Sequence, residues 1–144
     1  MIGVIIVTHG QLGEELHKTA KLIVGERESS GSEGERCLTV AIEMNLNPDY
    51  LMDLIAKAIK TQDRGQGVLI LTDMFGGTPS NISLSFLEEG RVEVLTGVNL
   101  PMLLRVFQLR EKPSMTLAEL ANDAMEYARK AVINAGKLLV QRTK

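Results

Sequence analysis

Between Ile2 and Val7 the chain is almost unbroken branched aliphatic: Ile2, Val4, Ile5, Ile6 and Val7, interrupted by Gly3 alone. A strand with one wet face alternates apolar and polar residues, so a strand apolar throughout must be covered on both sides. The run therefore predicts a central strand of a parallel sheet, strand one over 1–8. Val68-Leu69-Ile70-Leu71-Thr72 has the same character and predicts strand three. Two further strands are expected at Cys37–Ile42 and, with alternation, at Val92–Thr96.

Helical patterns separate the strands. Leu16, Ala20, Ile23 and Val24 recur at helical spacing and Gly25 stops that helix. Asn47-Pro48-Asp49 opens a second helix with Leu51, Leu54, Ile55, Ala58 and Ile59 as its stripe. Thr78-Pro79 opens a third, carrying Ile82, Leu84, Phe86 and Leu87 up to Gly90. Pro101 starts a fourth with Leu103, Leu104, Val106 and Phe107 behind it, and Thr116-Leu117-Ala118-Glu119 has capping-box spacing for a fifth reaching at least Arg129. The Ser- and Gly-rich charged stretch 26–36 has no periodicity and is expected as loop. Val132-Ile133 fits either more helix or an edge strand, and 137–144 is expected as a frayed basic tail, 136–144 being the flexible end of a single domain over 1–144. Alternating strands and helices give a doubly wound α/β fold, mostly parallel, with helices on both faces.

Composition removes whole classes of function. The 144 residues carry a formal charge of −2 and 3% aromatics, so neither a basic footprint nor a stacking platform for nucleic acid exists. No apolar stretch approaches the ~20 residues of a membrane span, and the first run is too short and too unflanked by basic residues for a signal peptide. The single cysteine, Cys37, fits a reducing cytoplasm and is expected as a small core residue. His17 is expected as a solvated helix residue, and Met44, Met52, Met74, Met102, Met115 and Met125 as core or rim filler.

The chemistry gathers at strand ends. His9 ends strand one, Asp73 follows strand three, and Gly97-Val98-Asn99 follows strand four, so all fall on the carboxyl edge where such sheets bind ligands. If the strand order is 2-1-3-4, His9 faces Asp73. A carboxylate on one ring nitrogen fixes the tautomer and leaves the other as base or nucleophile. Asp73 runs into Gly76-Gly77-Thr78-Pro79-Ser80, where glycines allow positive φ and close approach, Thr78 is a good N-cap, and free N–H groups favour an anion. Gly10, Gly76, Gly77, Thr78 and Ser80 are thus the candidate phosphate-binding residues, with His9 and Asp73 as the catalytic pair. No Gly-x-Ser-x-Gly elbow supports a hydrolase, and His17 has no ligand spacing to His9, so no metal or other cofactor is expected. Phosphoryl transfer through His9 uses everything present.

Three segments in order, Ile5-Ile6-Val7-Thr8-His9-Gly10, Asp73-x-x-Gly76-Gly77-Thr78-Pro79-x-Asn81 and Gly97-Val98-Asn99-Leu100-Pro101-Met102-Leu103, resemble the mannose-family EIIA domain of the bacterial phosphoenolpyruvate:sugar phosphotransferase system. The resemblance implies that His9 takes a phosphoryl group from HPr and passes it to a IIB component, without metal. It also implies that Asp73 pairs with the histidine and that Thr78 supplies the phosphate-side hydroxyl. A cytoplasmic homodimer exchanging a C-terminal edge strand is implied too, with at most peripheral association with the permease, and this makes Val132-Ile133 an antiparallel strand. Phe75 stands where some members carry tryptophan. Many members continue into a IIB domain, so a separate acceptor is expected here. The phosphocarrier subunit of dihydroxyacetone kinase shares the fold but usually has serine after the histidine, whereas Gly10 follows here. A regulatory phosphoprotein and a module binding a phosphorylated small molecule are the other readings.

Overall fold

The computed structural model describes residues 1–25 and 37–142; the loop expected over 26–36 lies outside them, as do 143–144. Four strands, β1 (Gly3–His9), β2 (Cys37–Ile42), β3 (Val68–Thr72) and β4 (Val92–Thr96), form one parallel sheet in the order β2-β1-β3-β4. The helices are α1 (Leu12–Val24), α2 (Pro48–Gln62), α3 (Thr78–Leu84), α4 (Leu100–Leu109), α5 (Leu117–Lys130) and α6 (Ala135–Arg142).

The two apolar runs divide their side chains between the two faces, as the pleat requires. Val4, Ile6, Leu69 and Leu71 enter one core with Leu103, Val106 and Phe107 of α4 and Leu117, Leu120 and Ala124 of α5. Ile5, Val7, Val68 and Ile70 enter the other, against Leu51, Ile55 and Ile59 of α2. Cys37 is buried in the first core, as expected. Leu120 is fully buried, and Leu120→Ala is expected to lower unfolding free energy by about 3 kcal/mol, read by urea denaturation with an unchanged slope.

Local signals placed most helix starts. The Asn47 side chain accepts from the Asp49 N–H at 2.8 Å, Asn99 accepts from the Met102 N–H at 2.9 Å, and Thr116 with Glu119 closes the full capping box. Four expectations change. Thr78 is the first helical residue rather than the cap, which is Gly77. Helix α3 ends at Leu84, not near Gly90, because the Ser83 and Ser85 hydroxyls donate to the Pro79 and Ile82 carbonyls, both at 2.6 Å, and the chain tightens into i→i−3 turns. On α1 the buried face is Gly13, His17 and Ala20, while Ile23 and Val24 are 57% and 40% exposed. The cause is Gly13: a Cβ there would stand 2.9 Å from Ile6 Cγ2, so the helix seats closely at that residue and turns His17 inward, edge-on to Phe107 at 5.9 Å between ring centres. Met44 is fully exposed rather than filler.

The C-terminal region also differs. No strand follows α5 among the described residues. Val132 and Ile133 lie in an irregular link, 80% and 58% exposed, and α6 occupies the stretch expected as a tail. An edge strand needs a partner edge, and among the described residues 132–133 pairs with none.

Candidate functional site

The chain runs from β1 out to β2 on one side and returns to β3 on the other, so β1 and β3 are neighbours at the switch point. Their carboxyl ends deliver His9 and Asp73 to each other. Asp73 Oδ2 accepts from the His9 backbone N–H at 2.9 Å and lies 2.7 Å from His9 Nδ1, while Oδ1 accepts from the Met74 N–H at 2.9 Å. The side chain of Asp73 is 11% exposed and that of His9 52%. Hence the carboxylate is sheltered and the ring reaches solvent.

The Asp73 carboxyl is held below its ordinary range. Burial pushes it up, but the His9 N–H, the His9 ring and the Met74 N–H together outweigh burial. An ionised carboxylate only accepts, so Nδ1 is the donor to it, and in the neutral ring the free lone pair is that of Nε2. The stabilisation is present above the unfolded carboxyl value of about 3.9 and is lost as pH falls through the lower folded one. Wild type and Asp73→Asn are therefore expected to differ in unfolding free energy at pH 6 and to converge below about pH 4. Denaturant titrations across that range check this, and parallel curves would contradict it.

The neighbouring backbone is shaped around the ring. Gly76 has φ +88°, which glycine adopts without strain. A Cβ on Gly77 would meet His9 Cε1 at 2.9 Å, so the turn lies directly against the imidazole. The first helical hydrogen bond of α3 runs from the Asn81 N–H to the Gly77 carbonyl at 2.9 Å, so the N–H groups of Gly77 and Thr78 precede the ladder. Thr78 is exposed beside them.

Two sequence candidates are not brought to the ring as ligands. The Gly10 N–H donates to the Ile42 carbonyl at 3.0 Å and so belongs to the sheet. Ser80 is fully buried, and its hydroxyl lies 2.6 Å from Thr72 Oγ1 and donates to the Met74 carbonyl. Gly97-Val98-Asn99 reaches the same edge but acts structurally, the Val98 N–H donating to the Thr72 carbonyl at 2.9 Å while Asn99 caps α4. Other contributors escaped the sequence reading. The Thr8 hydroxyl accepts from the Gly13 N–H at 2.8 Å and fixes how α1 leaves the site. Met74 and Phe75, the two residues that follow Asp73, are apolar yet 56% and 73% exposed. Neither has a local sequence signal, since hydroxyl pairing and exposure depend on the folded turn. No group of three or more metal-ligating side chains gathers among the described residues, and no helix there is long and apolar enough to cross a membrane.

Comparison with known proteins finds relatives over most of the chain. A family model described as the PTS system fructose IIA component, EIIA-man, matches residues 3–125. The fructose-specific EIIA component of Bacillus subtilis is 35% identical over 124 residues, 85% of this chain and 79% of that protein. The mannose-specific EIIAB component of Escherichia coli is 33% identical over 133 residues, 91% of this chain but 38% of that protein, so the chain spans well under half of that relative. Among solved structures, a PTS IIA protein associated with the fucose utilization operon of Streptococcus pneumoniae superposes with TM-score 0.77 at 26% identity, covering 95% of each chain. The phosphotransferase component EIIA of Streptococcus agalactiae, at 21% identity and TM-score 0.80 over 95% of this chain and 99% of its own, shares the fold. With the family model spanning most of the sequence, the chain belongs to the EIIA-man family, the IIA phosphocarrier components of the sugar phosphotransferase system.

Proposed function

We propose that His9 is the residue that carries the phosphoryl group, accepting it on Nε2 from phospho-HPr and passing it to a IIB component during sugar uptake. The observation that carries this is the His9–Asp73 pair, with Nδ1 engaged at 2.7 Å and a half-exposed ring. The Nε2 lone pair attacks phosphorus in line; the new N–P bond forms as the donor N–P bond breaks, and the donor imidazole leaves with the electron pair. No proton has to move. Positive charge appears on the ring as the bond forms, and the Asp73 carboxylate, already in place, stabilises it. The N–H groups of Gly77 and Thr78, which precede the α3 ladder, and the exposed Thr78 hydroxyl are the donors on offer to the phosphoryl oxygens. Both bonds are phosphohistidine bonds, so transfer is near thermoneutral and positioning is the main contribution of the protein.

Met74 and Phe75 offer an apolar rim against which a protein donor or acceptor packs. A cytoplasmic location and a homodimer complete the proposal. Support for the dimer is the exposed apolar series Val132, Ile133, Leu138, Leu139 and Val140, 39% to 80% exposed, which a second copy would cover. Light scattering across a concentration range checks it, with a monomer at all concentrations the contrary result.

The carrier reading is tested by incubating the chain with phosphoenolpyruvate, enzyme I and HPr at neutral pH and following intact mass. One phosphoryl group per chain is expected, and its loss on adding a IIB protein. A phosphorylated chain that discharges to no IIB protein would favour the regulatory role instead. Gly77→Ala, whose methyl must displace His9 Cε1, is expected to slow charging by about tenfold to a hundredfold at unchanged fold, measured by rapid quench.

A further inference from the structure

We propose that Ser80 is a positioning residue for phosphoryl acceptance, holding Asp73 against His9 through the Met74 backbone; this rests on the carrier reading of His9. Ser80 lies in the first turn of α3 with its side chain fully buried, as is that of Thr72 at the end of β3. A serine hydroxyl has one proton to give. Ser80 gives it to the Met74 carbonyl, so the 2.6 Å contact with Thr72 requires Thr72 to be the donor there. The result is a directed chain, from the Thr72 hydroxyl to the Ser80 hydroxyl to the Met74 carbonyl.

Met74 is thereby held at both ends. Its carbonyl is fixed by Ser80, and its N–H donates to Asp73 Oδ1 at 2.9 Å. The opposite oxygen of the same carboxylate takes both His9 donors, at 2.9 Å and 2.7 Å. Asp73 and Met74 connect the end of β3 covalently to the exposed residues Phe75 and Gly76, so without a further tie a carboxylate on that connection would swing with the turn. The buried hydroxyl clamps the turn to strand and helix together. It does so without touching the ring or any phosphoryl oxygen, so its influence passes through Asp73.

Ser80→Ala removes one oxygen from a packed site and should leave the fold intact by circular dichroism. Charging of His9 is expected to slow by about tenfold or more in rapid quench. In the unphosphorylated protein, the ring ¹⁵N resonances should move from one Nδ1–H tautomer toward a mixture, a change that a purely structural role would not produce. Ser80→Thr keeps the hydroxyl and should restore both readouts. Where its methyl unseats the helix, Thr72→Val takes its place: it removes the donor that orients Ser80 and should shift rate and tautomer in the same direction. On an Asp73→Asn background, Ser80→Ala should add little, because both act through one carboxylate. Unchanged rate and tautomer in Ser80→Ala, or losses that multiply in the double variant, would overturn the proposal. The tautomer is read without phosphate. A shifted tautomer in a chain that never charges would therefore refute the carrier reading alone, and normal charging with an unshifted ring would refute the role of Ser80 alone.

Discussion

His9→Ala is expected to abolish phosphoryl acceptance, with no charged species after exposure to phospho-HPr, while the protein stays folded. Among the residues at the strand ends, His9 is the one that combines a nucleophilic nitrogen with an orienting carboxylate, and its side chain is 52% exposed. Little packing is lost with it, and the backbone N–H that donates to Asp73 at 2.9 Å remains. The cost in stability should therefore be about 1 kcal/mol or less, as for exposed positions generally. Intact mass and circular dichroism on one sample check both halves. Residual charging of the variant would move the acceptor elsewhere, and His17, edge-on to Phe107 on the buried face of α1, is poorly placed to receive it.

Asp73→Asn is expected to slow charging by about a hundredfold or more while leaving donor docking intact. The substitution keeps the shape and removes two things. The first is the charge that stabilises the ring as Nε2 bonds to phosphorus. The second is the enforced tautomer: an amide can turn its NH₂ toward Nδ1, which makes Nδ1 the acceptor, places the proton on Nε2 and blocks the nucleophile. Both effects fall on the transition state, so the maximal rate should drop with the half-saturating HPr concentration nearly constant. A rise in that concentration at unchanged maximal rate would assign Asp73 to docking instead.

Much of this was legible in the sequence because the determining signals are local. Doubly covered runs such as Ile2–Val7 and Val68–Thr72 identify central parallel strands, and Asn47 and Thr116 announce helices through side chains that act within three residues. The facing of His9 and Asp73 needed one further step, the strand order, which the structure gives as β2-β1-β3-β4. What was not legible depends on groups that meet only after folding. The inward turn of His17 follows from how closely Gly13 seats on Ile6, and the stop of α3 at Leu84 from serine hydroxyls turned back on the helix. The place of Ser80 in a Gly-rich helix start suggests a phosphate ligand. Its burial against Thr72 and Met74, eight and six residues away, has no periodic or compositional trace. Gly10 is similar: a glycine directly after His9 suggests an anion turn, but its N–H completes the pairing of β1 with β2.

The most direct test is to charge ¹⁵N-labelled protein with phosphoenolpyruvate, enzyme I and HPr and to locate the phosphate by ¹⁵N–³¹P coupling on the histidine rings. Coupling to Nε2 of His9, with Nδ1 still protonated, is the expected result. Coupling to Nδ1 of His9, to either nitrogen of His17, or to neither histidine despite a competent donor would contradict the assignment.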